Sequence, residues 1–113
     1  MVRVVIETGN DGLIRRVDVS GHAGASEKGY DIVCAAVTTL VRSAARVLEQ
    51  DDRVLLRGGA IEPGRMGFDV IELRKAEQYL QGIGDFVILG IADIASEYPS
   101  RCTLELKERV DGT

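Results

Sequence analysis

Apolar and polar residues alternate from Val2 to Glu7, with Val2, Val4 and Ile6 on one face and Arg3 and Glu7 on the other, the period-two pattern of a strand. Gly9-Asn10-Asp11-Gly12 supplies turn chemistry, and Leu13 to Ser20 predicts the returning arm of a hairpin. The next stretch, Gly21 to Tyr30, has three glycines and no apolar run, which predicts a mobile loop.

The period then changes. From Ile32 to Glu49 or Gln50 the apolar residues Val33, Val37, Leu40, Val41, Ala44, Val47 and Leu48 fall on one helical stripe, with Cys34, Thr38 and Ala45 at its margin. Asp31 stands where an N-cap carboxylate accepts a first-turn amide, and Asp51-Asp52 ends the helix. Val54 to Arg57 and Gly67 to Glu72 read as two further strands, joined through Gly58, Gly59, Pro63 and Gly64. Ala76, Leu80, Ile83, Val87, Ile91, Ile94 and Tyr98 recur at three- and four-residue steps and predict a second helix. Gly82, Gly84 and Gly90 weaken it by up to about 1 kcal/mol each, enough to kink it or delay its start. Tyr98-Pro99 closes it, and Cys102, Leu104 and Leu106 alternate inward along a last strand.

The order β-β-α-β-β-α-β excludes a regular parallel βαβ array. It predicts an α+β domain spanning residues 1–113: a mainly antiparallel sheet with two amphipathic helices on one face. No internal repeat or linker divides it.

Composition removes several classes. At 45% hydrophobic and 28% charged residues the chain is globular rather than disordered. Its apolar runs read as too short and too interrupted by charge to span a bilayer, so no membrane role is expected. A net charge of −4, a pI near 5.0 and no Trp argue against direct nucleic-acid binding. One histidine and two distant cysteines make no zinc cluster, so neither metal nor cofactor is expected. With no signal peptide and no disulfide framework, both thiols are expected reduced, in the cytoplasm.

The candidate chemistry follows from scarcity. Any imidazole base must be His22. If Asp31 is the cap, Cys34 is the third helical residue, where unsatisfied amides and the helix dipole favour a thiolate, and His22 could swing in from the glycine-bounded loop to complete a thiolate–imidazolium pair. The plainer reading of Cys34 is a small packing residue, since cysteine is among the most buried types. Cys102, on the inward face of its strand, is expected to be an inert core thiol. A redox role is weaker, because no resolving cysteine stands near Cys34 in the sequence.

The run Gly21-His22-Ala23, then Asp31-Ile32-Val33-Cys34-Ala35-Ala36-Val37-Thr38, closely resembles the ribosomal-processing cysteine protease family called Prp, and Tyr98-Pro99 after the Gly90-containing helix resembles its C-terminal half. The resemblance extends over essentially the whole domain. It implies a small homodimeric endopeptidase that removes an N-terminal extension from large-subunit ribosomal protein twenty-seven, with Cys34 as nucleophile and His22 as general base. It further implies cleavage after an aromatic residue in a short apolar sequence, and hence an apolar groove beside Cys34. Where serine is common in the family one turn after the cysteine, this chain has Thr38, which keeps the hydroxyl but adds a methyl that narrows the groove. Asp31 has two competing roles, as helix N-cap or as the carboxylate that orients His22. Gly21, Gly24 and Gly29 are the expected hinges of a loop that closes over the substrate. The different-class alternative is a noncatalytic ribosome-assembly or protein-binding module.

Overall fold

The structure is a computed structural model that describes residues 1–21, 28–62 and 65–109; nothing is said of the side chains at 28–31 and 59–62. Seven elements follow in the expected order: β1 (Val2–Thr8), β2 (Ile14–Ser20), α1 (Lys28–Glu49), β3 (Val54–Glu62), β4 (Arg65–Leu73), α2 (Glu77–Glu97) and β5 (Cys102–Glu108). The strands form one sheet in the order β3-β4-β2-β1-β5. All neighbours are antiparallel except β1 and β5, which run parallel with Val2 opposite Cys102.

Register explains why one face of this sheet is apolar. Val4 lies opposite Val19 and Ile6 opposite Val17, while Val17 in turn faces Phe68, so inward residues stack in rows across β1, β2 and β4. These rows are buried under Val33, Val37, Val41 and Leu48 of α1 and Leu80, Val87 and Ile91 of α2. Fully burying side chains of this size contributes about 1.5–3 kcal/mol each. That outweighs the propensity cost of the α2 glycines, and α2 runs as one helix. Two of those glycines also allow close packing. A β-carbon at Gly84 would stand 3.2 Å from Ile14 Cγ2, and one at Gly90 would stand 2.8 Å from Leu40 Cδ1.

Several boundaries differ from the sequence reading. Helix α1 begins at Lys28, inside the expected loop. Its first turn is polar and carries Gly29, which hides it from a search for apolar periodicity, but the helix is held by the stripe that starts at Val33. Asp31 is therefore the fourth residue of α1 and not its N-cap, and Cys34 is the seventh residue rather than the third. Gly29 is helical and cannot be a loop hinge. Val47, expected in the core, is 42% exposed. In β3, Gly58 and Gly59 belong to the strand and not to its connection. Gly58 has φ +143°, and a β-carbon there would meet the Gly67 and Phe68 backbone, so glycine marks a close crossing of β3 and β4.

Strand β5 is buried only at its start. Cys102 is 1% exposed, whereas Leu106, expected to point inward, is 55% exposed. Beyond the first residues this edge strand runs past the cover that α2 provides. Helix α2 also revises the expectation about length: its 21 residues include an 18-residue stretch of mean hydropathy 1.2, long and apolar enough to cross a membrane, although Leu80, Gly84, Val87 and Ile91 are buried against the sheet and nearby core.

Candidate active site

The half-buried Cys34 packs from the second turn of α1 onto the hydrophobic core, at the margin of the apolar stripe where the helical period places it. Thr38, one turn on, is likewise half-buried. Asp31 lies one turn before Cys34 on the same helix. His22 and Gly24 lie outside the described residues.

The point from which the His22 segment departs is nevertheless well defined. Gly21 ends the β2 exit with φ +78°, a left-handed conformation that L side chains rarely adopt, and a β-carbon there would collide with the Met1 carbonyl oxygen. Met1 immediately precedes Val2, and Val2 pairs with Cys102. Three chain segments, the start of β1, the exit of β2 and the start of β5, thus meet at one end of the sheet.

Cys102 belongs to this end, which the sequence did not reveal. Burial first, and then the negative charge of Cys34, push the Cys102 thiol up from its ordinary value of 9.0. The expected burial of Cys102 is observed, and its place opposite Val2 follows from the parallel β1–β5 pairing, which no local pattern encodes.

A helix start does not by itself activate Cys34. The four unsatisfied amides of an α-helix are its first four, and Cys34 is three residues past them. Of the two effects expected from sequence, the helix start is therefore the one that this placement weakens. No cluster of three or more His, Cys, Asp or Glu suited to a metal ion occurs among the described residues.

An apolar groove of about 400 Å³ runs between the helices, lined by Leu40, Ser43, Ala44 and Val47 of α1 and by Gly82, Ile83 and Phe86 of α2 among others. It begins more than a turn beyond Cys34, which is not among its walls, so it is not the groove expected beside the nucleophile.

Residues 1–103 match the family described as cysteine protease Prp. The chain belongs to the cysteine protease Prp family. It is accordingly a cysteine protease, and the noncatalytic alternative is set aside. No curated protein matches. Among solved structures, SMU.848 from Streptococcus mutans is 29% identical with a TM-score of 0.82, each chain covering 96% of the other. The essential ribosomal processing protease Prp from Staphylococcus aureus, in complex with a substrate peptide, is 20% identical with a TM-score of 0.81, over 95% of this chain and all of that one. The same protease with a covalently linked product peptide gives 22% identity and a TM-score of 0.78, again over 95% of this chain and all of the other. At these lower identities the likeness to the staphylococcal protease is one of fold.

Proposed function

We propose that this protease removes the N-terminal extension of large-subunit ribosomal protein twenty-seven during ribosome maturation, with Cys34 as nucleophile and His22 as general acid and base. The observation that carries the reading is the family match across residues 1–103, which includes both the Gly21-His22-Ala23 and Asp31-to-Thr38 motifs. The half-sheltered position of Cys34 on α1 suits a nucleophile that must meet a peptide, and the staphylococcal neighbour is itself a ribosomal processing protease.

The Cys34 thiolate attacks the scissile carbonyl carbon, and the resulting oxyanion collapses to a thioester as protonated His22 donates to the leaving amine. Neutral His22 then takes a proton from water, which hydrolyses the thioester and restores the thiolate. Because Asp31 is no N-cap, its carboxylate is assigned to orienting the imidazole. Thr38 offers a hydroxyl to the peptide or to the backbone one turn from the sulfur. Since the first-turn amides of α1 lie before Cys34, the oxyanion donors come from another segment.

The proposed enzyme is a single domain over residues 1–113, cytoplasmic, without direct nucleic-acid contact, membrane or cofactor, and acts as a homodimer. A second copy suits the outer flank of the helix pair, where exposed Phe86 and Leu89 stand beside the apolar groove, with Arg42 and Arg46 along α1 and Asp85 and Asp93 along α2 supplying opposite charges. Phe86→Glu should then convert a dimer to a monomer in sedimentation.

The deciding test uses a peptide spanning the extension junction. Cys34→Ala and His22→Ala should each abolish cleavage while leaving the fold intact by circular dichroism. Full cleavage by the Cys34→Ala protein would end the assignment of the nucleophile.

A further inference from the structure

Both helices pack on one face of the sheet, and the opposite face carries its charge. One row crosses all five strands at a single level: Lys107, Glu7, Arg16, Asp69 and Arg57 follow one another in register from β5 to β3, and their signs alternate. Four residues along the strands, about 13 Å away, Arg3 and Arg65 flank Ser20 in a second row. Between these rows the surface is low. Half-buried Val5 and Asp18 lead to Gly67 opposite Gly59, so β3 and β4 raise no side chain there. The bases stand higher than the acids beside them. Asp69 is 26% exposed between Arg16 at 46% and Arg57 at 76%, and Asp18, also at 26%, accepts Arg65 at 3.2 Å. Asp69 lies 3.8 Å from both of its arginines, which draws the guanidinium groups together without a hydrogen bond to either.

Strand by strand, the arginines zigzag across this trough: Arg57 on β3 lies on one side, Arg65 on β4 on the other, then Arg16 on β2 and Arg3 on β1 repeat the alternation. Neighbouring strands are about 4.8 Å apart, so the four arginines cover about 14 Å, the length of about four extended residues, whose side chains also alternate from side to side. We propose that the trough binds an acidic protein segment in extended conformation, with Asp or Glu side chains reaching alternately to Arg57 and Arg16 on one side and to Arg65 and Arg3 on the other. Arginine suits this task because its planar fork engages a carboxylate through two parallel hydrogen bonds. The occupant is a peptide rather than a nucleic acid for a chemical reason. The low carboxylates of Asp18 and Asp69 accept hydrogen bonds, which a peptide backbone N–H donates and a phosphodiester backbone does not. A chain of net charge −4 also repels a long polyanion, whereas a few carboxylates within the trough interact chiefly with the nearby arginines because salt screens the rest. The trough faces away from α1 and Cys34, so it leaves the site open to substrate.

The test titrates the full chain with a labelled pentaglutamate peptide at about 0.15 M salt, with pentalysine and an oligothymidylate of matching charge as comparisons. The expected result is saturable binding of pentaglutamate alone, with shifts in the amide resonances of Val5, Asp18 and Gly67. Combining Arg16→Glu with Arg57→Glu should weaken it by about tenfold or more, the loss expected for charge-assisted bonds. Arg74→Glu, which lies beyond the end of β4 and outside the trough, should change it by less than about twofold. Absence of saturable binding, resonance shifts confined to the helices, or an affinity untouched by the double substitution overturns the proposal, and equal binding of the oligothymidylate replaces the peptide with a nucleic acid. If the doubly substituted chain does not fold, the resonance map of the native protein decides alone. None of these readouts involves hydrolysis, so a protein that binds pentaglutamate in the trough yet never cleaves the ribosomal peptide supports the docking surface while removing the assigned substrate.

Discussion

Gly21 rests against the carbonyl oxygen of Met1, and the residue that follows it is the sole histidine. A side chain at position 21 has to contend with both the left-handed backbone and that carbonyl, so the strand exit shifts and carries His22 with it. Gly21→Ala should lower kcat/KM on the order of a hundredfold, the cost of an ångström-scale displacement of a catalytic group. Stability should fall by only about 1–3 kcal/mol, the usual penalty for backbone strain at a non-glycine residue. Kinetics and thermal melts on one preparation separate the two effects, and unchanged kinetics would detach this contact from the position of the base.

Asp31 offers a sharper test because it is no cap. Asp31→Asn removes a charge from the first turn of α1, worth about 0.3–1 kcal/mol through the helix dipole. If the carboxylate orients His22, turnover should drop by at least about tenfold in a protein that melts within a few degrees of the native one. Near-native turnover in the asparagine variant would leave the carboxylate with a dipole role alone.

Glycines in the sheet and in α2 should respond in opposite senses to one methyl group. A β-carbon on Gly67 would collide with the Val17 carbonyl oxygen, which is backbone and cannot swing away, whereas one on Gly82 meets nothing within 4 Å. Gly67→Ala should destabilise by more than about 2 kcal/mol through strain between β2 and β4. Gly82→Ala should stabilise by up to about 1 kcal/mol through helix propensity. Chemical denaturation of both variants checks the pair.

The turn from α1 to β3 carries a pH signature. The Asp51 carboxylate accepts the Arg53 guanidinium at 2.9 and 2.7 Å and the Arg53 backbone N–H at 2.9 Å, and these bonds lower its pKa from 3.8 to about 2. A depressed carboxyl contributes stability that is fully present above its unfolded value and is lost as pH falls through the folded one. The stability advantage over Asp51→Asn should thus shrink as pH falls from 3.8 to about 2, with the carboxyl carbon titrating near the lower figure in NMR. A midpoint at the ordinary value would mean that the clip is not formed in solution.

Element order and the inward rows were legible in the sequence because alternation at Val2, Val4 and Ile6 and the helical stripe from Val33 report burial directly. The start of α1 was not, since a polar first turn ending at Asp31 carries no apolar period. Gly58 and Gly59 looked like a connection because glycine's turn chemistry outweighs its rarer use at a close strand crossing. At the site, the Cys34 motif could be read from its neighbours. The burial of Cys102 could be read too, from its alternation with Leu104, but not its place opposite Val2, because the docking of β5 alongside β1 is a partnership between distant parts of the chain.

That partnership also sets an order in time. A ribosome releases β1, the His22 segment and α1 long before it releases β5, and a parallel strand pair with so large a sequence separation forms only after its second member exists. The core on which Cys34 packs includes Cys102, so it is completed only once β5 has been made. A nascent chain thus carries the nucleophile before that core is closed, and hydrolytic competence should arrive only once β5 has emerged and docked.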